Sequence, residues 1–128
     1  MKKLFDLQKK YNKKVFGEGE ISSTDLENLT QELALCAHAE ISSLVSATKY
    51  KKHHRDTSSS DPSIDRILYE SVDVIRYVIA ILNLWGKDSD LFDDAFYKKD
   101  MYLNCRSDIG LNPWKGQPVA IVDMDDVI

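Results

Sequence analysis

The stretch 62–85 constrains this chain more than any other part of it. Asp61 and Pro62 give a helix N-cap followed by a proline at the first helical position, and Gly86 supplies the stop. Between them Ile64, Leu68, Val72, Ile75, Ile79 and Leu82 recur at spacings of three and four, the period of one helix face. The second half adds Val74, Tyr77, Val78 and Ile81, which makes it apolar nearly all round. A helix of that kind needs neighbours on several sides, which predicts a central place in a helical bundle. It is not a membrane span, because the longest apolar run, 72–85, is shorter than the roughly 18–20 residues required. That run also contains Asp73, Arg76 and Asn83.

Three further helices are predicted around it. The first covers about 3–16 and stops at Gly17-Glu18-Gly19. The second covers about 24–49 and opens on the capping box Thr24-Asp25-Leu26-Glu27. Its stripe is Leu26, Leu29, Leu33, Cys36, Ala37, Ile41, Leu44 and Val45. Residues 50–60, basic and then serine-rich, read as a solvated loop. The fourth helix covers about 88–104, with Leu91, Ala95, Phe96 and Tyr102 expected to face inward. The fold class expected is therefore all-α, with a short β-type tail at 119–122 reached through a linker at 112–118.

Composition narrows the setting. A chain of 128 residues is long enough for one domain with its own core. A net charge of −4 gives no support to binding of duplex nucleic acid. Met1-Lys2-Lys3 leads into an amphipathic segment rather than an apolar leader, so no signal peptide is read there. Cys36 and Cys105 lack metal-ligand spacing and read as reduced thiols of a cytoplasmic protein.

Three carboxylates fall on faces expected to be buried. Glu40 lies four residues after Cys36 and four before Leu44, within the stripe of the second helix. Glu70 and Asp73 are three apart, so they share one face of the central helix, the face that also carries Tyr77 and Ile81. A buried charge without a partner costs roughly several kcal/mol, so such groups pair or hold a metal. Three inward carboxylates from two helices suit a hard, oxygen-seeking cation such as Mg²⁺. The alternative is that each pairs with a lysine or arginine at the bundle edge.

The ordered set of motifs resembles the all-α nucleoside-triphosphate pyrophosphohydrolases, the group of the MazG-type enzymes and the dimeric dUTPases. Glu70-Ser71-Val72-Asp73 is similar to that group's ExxD pair, and Glu40-Ile41-Ser42-Ser43 to its ExxE pair, with Ser43 where the second glutamate stands. Leu7-Gln8-Lys9-Lys10-Tyr11-Asn12 resembles the LQxxLN opening of dimeric dUTPases. Thr48-Lys49-Tyr50-Lys51-Lys52-His53-His54 stands where the family has its TRxxKxW-like segment. Arg106-Ser107-Asp108-Ile109-Gly110 is similar to its closing RQxxG, with Lys99 and Asn104 just upstream. The likeness covers about 4–111 and defines a first domain, 1–111.

That resemblance implies a four-helix-core bundle, a homodimer or homotetramer, and hydrolysis of a nucleoside triphosphate such as dUTP or dCTP to the monophosphate and pyrophosphate. Glu40, Glu70 and Asp73 would hold Mg²⁺, Lys52, Lys99 and Arg106 would stabilise charge on the phosphates, Gln8 and Asn12 would help read the base, and Asn104 would contact the substrate. By spacing alone Gln8 and Asn12 are two amides on one helix face, equally readable as surface groups, and the basic residues after Thr48 equally as a solvated loop. Ser43 removes a ligand and puts two-metal chemistry in question. A second class of function is therefore kept, a non-catalytic nucleotide-binding or oligomerisation domain. Finally, 119–128, with Asp123 and Asp125 after an apolar run, resembles the first motif of HAD-type phosphohydrolases. It implies the start of a further domain at the end of a front piece, unless it is an acidic tail.

Overall fold

The computed structural model describes residues 1–48 and 64–108, and every regular element among them is an α-helix. In chain order these are α1 (Lys2–Phe16), α2 (Ser23–Ser46), α3 (Ile64–Leu84) and α4 (Ser89–Asp108). The all-α expectation holds for the described residues. The basic loop, the residues after Asp108, the linker and the β-type tail lie outside them, as does the Asp61-Pro62 start of the central helix. The chain divides into two units, Met1–Asp88 with α1 to α3 and Ser89–Ile128 with α4.

Local chemistry sets the helix ends. α1 ends at Gly17, whose φ of 83° an L side chain rarely adopts, with its N–H donated to Lys13 O at 3.1 Å. The cap of α2 stands two residues before the one its capping box suggested. Ser22 is the cap, its Oγ accepting from Asp25 N–H at 3.2 Å and its carbonyl from Leu26 N–H at 2.8 Å. α2 also stops at Ser46 rather than near 49, because Thr48 Oγ1 donates to Val45 O at 2.6 Å and takes up a carbonyl the helix would have used. α3 closes on Gly86 at φ 71°, with Lys87 N–H reaching back to Leu82 O at 2.9 Å. α4 runs four residues past the expected 104.

Within the first unit α3 is the central element and packs on both α1 and α2. Side-chain amides stitch it to α1: Asn83 Nδ2 donates to Phe5 O, and Asn12 Nδ2 to Ala80 O, each at 3.2 Å. Rising numbers on α1 meet falling numbers on α3, so the two helices are antiparallel. Trp85 Nε1 donates to Thr30 Oγ1 at 2.8 Å and pins the C-terminal end of α3 to α2. Phe5, Leu33, Ala47, Ile79 and Ala80 form the buried apolar core.

The main stripe of α3 packs only toward its C-terminal end, and the face that carries Glu70, Tyr77 and Ile81 is the one covered along its length. Ile67, Ser71, Val74, Tyr77 and Ile81 turn inward, together with Glu70. Of the expected stripe, Ile79 is 2% exposed and Leu82 half-buried, but Ile64 is 70% and Leu68 60% exposed, and Val72 and Ile75 are open to solvent. The helix has two apolar faces about 100° apart, and α2 covers the one that carries the acid. On α2 itself Cys36, Ile41 and Val45 are exposed, while Glu40 and Ser43 are half-buried. On α4 the expected inward residues Leu91, Ala95 and Phe96 are exposed and Tyr102 half-buried. Its apolar side chains are spread round the helix and define no single stripe.

Candidate metal and ligand site

The carboxylates meet because α2 and α3 run antiparallel from the Trp85–Thr30 contact. Glu40 lies ten residues beyond Thr30 and Asp73 twelve before Trp85, about 15 and 18 Å at the helical rise, which brings them level. Glu70, half-buried one turn from Asp73, completes the group. Asp73 itself is exposed rather than buried as its place on the helix suggested, because it sits at the edge of the face that α2 covers. One oxygen from each of Glu40, Glu70 and Asp73 lies within 4.8 Å of the others. Two oxygens on opposite sides of a Mg²⁺ ion are about 4.2 Å apart, given bonds of roughly 2.1 Å. Small rotamer changes therefore bring all three donors into range, and an all-carboxylate oxygen set is what a hard cation takes. The donor chemistry fits the magnesium expected from the sequence.

Electrostatics point the same way. Glu40 is held above the ordinary carboxyl value of 4.5, first by a hydrogen bond to Glu70, then by partial burial and by the charges of Asp73 and Glu70. Arg66 Nε stands 3.7 Å from Glu70 Oε1, a pairing one turn away on the same helix. Edge pairing is thus realised in part for Glu70, but a long, half-exposed pair of this kind contributes only about 0.3–0.5 kcal/mol. It leaves the mutual repulsion of the cluster in place.

A pH dependence follows. In the folded chain Glu40 keeps its proton to higher pH than in the unfolded chain, so between 4.5 and its raised value the native state binds more protons. Metal-free protein is expected to melt at lower temperature as pH rises through that window. With Mg²⁺ present the decline should flatten. Melting curves by circular dichroism, in chelator and in excess Mg²⁺, test this; parallel curves would remove the repulsion argument.

Glu40 and Asp73 also line a cleft of about 670 Å³, within the range of small-molecule sites. α1 contributes Gln8, Tyr11 and Asn12 to its wall, α2 Cys36, and α3 Arg76 and Tyr77. Gln8 and Asn12 are only 6% and 7% exposed, which overturns their reading as surface amides. Gln8 Nε2 donates to Asn12 Oδ1 at 3.0 Å. The Arg76 guanidinium lies 5.4 Å from the centre of the Tyr11 ring. Burial, then the Cys36 thiol and Glu40, push the Tyr77 phenol above its usual value, so it stays a hydroxyl and can donate.

The residues expected from the sequence thus divide. Gln8, Asn12, Glu40 and Asp73 share one cleft, and Glu70 joins the acidic group beside it. Ser43 is half-buried one turn after Glu40 on the same side of α2. Lys52 lies outside the described residues. Lys99, Asn104 and Arg106 are on α4, in the other unit. Lys99 is exposed, and Asn104 Nδ2 donates to Asp100 Oδ2 at 3.2 Å. Arg106 is buried over the Tyr102 ring at 5.4 Å, with no acceptor for Nε or Nη2 among the described residues. Sequence reasoning did not assign Tyr11 or Arg76 to the site. Both sit one turn from residues it had assigned, Tyr11 from Gln8 and Arg76 from Asp73, and that spacing was the usable signal. No known family, curated protein or solved structure matches the chain.

Proposed function

We propose that this chain hydrolyses a nucleoside triphosphate to the monophosphate and pyrophosphate, with Mg²⁺, as the all-α pyrophosphohydrolases it resembles do. The observation that carries this is the convergence of Glu40, Glu70 and Asp73 from two helices beside a cleft walled by two buried amides. Either feature alone has a structural explanation. An acidic group that repels itself next to a cavity of ligand size is better explained by a cation and an anionic ligand that arrive together.

In this reading Glu40, Glu70 and Asp73 hold the metal, and Glu40 gives up its proton when they do, so metal affinity rises with pH. Bound there, Mg²⁺ supplies neutralisation of phosphate charge and an acidified water. Arg76 and Tyr77 lie along the cleft wall, placed to give N–H and O–H donors to phosphoryl oxygens as charge develops. The resemblance further assigns phosphate contacts to Lys52, Lys99 and Arg106 and a substrate contact to Asn104. A deoxypyrimidine triphosphate such as dUTP or dCTP is the first substrate to try. The bare face of α3 supports assembly as a homodimer or homotetramer.

The half-buried Ser43 favours one other reading, a domain of this fold that binds nucleotide without turning it over. Pyrophosphate release from the deoxynucleoside triphosphates in Mg²⁺ decides between them. Turnover by the natural chain supports catalysis with serine in that position. Activity that arises only in Ser43→Glu would identify the natural domain as non-catalytic. No turnover in either, together with no nucleotide-dependent thermal shift, would sink both.

A further inference from the structure

The first helix has a second apolar row that its own fold leaves uncovered. Phe5, Gln8 and Asn12 are the buried side of α1, and Asn12 and the Phe5 carbonyl tie that side to α3. Leu4, Leu7, Tyr11 and Val15 recur at three and four residues on a neighbouring side, and they are 47, 54, 52 and 54% exposed. At the helical period Lys3, Lys10 and Lys14 border this row, while Lys2, Lys9 and Lys13 lie on the opposite side of the helix. All six lysines are exposed. They face a single acid within α1, Asp6, which pairs with Lys2 on the far side at 3.2 Å. The chain as a whole has a net charge of −4, so this helix is a basic element on an otherwise acidic protein.

We propose that α1 docks the folded chain on an anionic lipid surface, with Leu4, Leu7, Tyr11 and Val15 in the headgroup layer and Lys3, Lys10 and Lys14 on the phosphates. An apolar row edged by cations is the pattern of a helix that lies in a membrane interface. Lysine stems run along the apolar row while their ammonium groups rise to the headgroups. The acidic remainder is repelled by the same surface, which turns α1 toward it. A protein partner would need a groove with an apolar floor and an acidic wall along the whole helix; anionic lipid offers both everywhere. The buried side of α1 keeps its place on α3, so docking needs no unfolding. The proposal does not depend on the catalytic reading.

The test floats the full chain across a lipid titration, in chelator so that no metal ion bridges acid to phosphate. Vesicles are phosphatidylcholine alone, or phosphatidylcholine with an equal share of phosphatidylserine. The natural chain is expected to bind the second at least about tenfold more tightly, and to come off as salt rises. Leu4→Gln with Leu7→Gln should weaken that binding about tenfold or more; Tyr11 and Val15 also line the cleft and are left alone. Glutamine at Lys3, Lys10 and Lys14 together should cost about a hundredfold, and the same change at Lys2, Lys9 and Lys13 less than about tenfold, although the charge removed is equal. Circular dichroism on the same samples checks that the helices persist. Binding that survives the leucine changes, or falls equally with either lysine row, overturns the proposal, because net charge alone would then be the cause. So does a natural chain that ignores anionic vesicles, which gives the row to a protein partner or a second copy. The vesicle comparison on the natural chain decides even if a variant does not fold.

Discussion

Glu40→Gln is expected to cut Mg²⁺-dependent turnover at least about a hundredfold and, in the same protein stripped of metal, to raise the melting temperature. Loss of an outer partner of a metal ligand alone costs about 10- to 100-fold in affinity or activity, so loss of a ligand sets at least the upper end of that range. The stability change has the opposite sign because Glu70 and Asp73 raise the proton affinity of Glu40, so its charged form is disfavoured in the folded chain. A glutamine is isosteric, donates permanently to Glu70 and carries no charge. A residue kept for folding would lose stability on replacement, and a surface residue would change neither quantity. Scanning calorimetry in chelator, paired with pyrophosphate release in Mg²⁺, reads both signs on one preparation. Natural turnover in Glu40→Gln, or a lower metal-free melting temperature, would end the metal-site reading. The Asp73→Asn variant should follow the same pattern.

The site was more legible in the sequence than the packing around it. Glu70 and Asp73 stood out because three-residue spacing on an apolar helix puts two charges where solvent should not reach. Glu40 stood out because it interrupts a stripe. The helical period was enough to bring the three together, but not to set their burial: Glu40 and Glu70 are half-buried and Asp73 is exposed. Gln8 and Asn12 show the limit: their four-residue spacing fixed a shared face but not whether that face was buried. Their burial comes with the packing of α1 on α3, where Asn12 bonds the Ala80 carbonyl nearly seventy positions away. The first half of the main α3 stripe failed as a packing face for a related reason. Residues 64–84 carry one apolar row through Ile67, Ser71 and Val74 and another through Ile64, Leu68 and Val72. Periodicity ranks rows by hydrophobicity and chose the richer one. Which row a neighbour covers depends on that neighbour's shape, and α2 carries small half-buried residues, Ala34 and Ala37, of the kind that allow close helix packing. α4 gave least, since an evenly spread set of apolar residues contains no directional information.

The richer row, left bare, carries the other large effect: Leu68→Glu is expected to convert a dimer or tetramer of the natural chain into monomer with its helicity unchanged. Ile64, Leu68, Val72 and Ile75 form a continuous apolar strip along two turns and more of α3, and soluble monomers rarely leave such a strip uncovered. The proposed cover is the same strip of a second copy. A twofold interface counts each substitution twice, so one change removes two leucines from the contact and sets two carboxylates there. Lost leucine burial alone is worth roughly 3 kcal/mol across the pair, or about a hundredfold in dissociation constant, before any cost of the buried charges. Leu68 is already 60% exposed in the single chain, so the fold itself should change by no more than about 0.5 kcal/mol. Sedimentation equilibrium with circular dichroism on the same samples separates loss of assembly from loss of fold. A natural chain that is monomeric at micromolar concentration, or a Leu68→Glu variant that assembles as the natural chain does, would show that this face is covered by something other than a second copy.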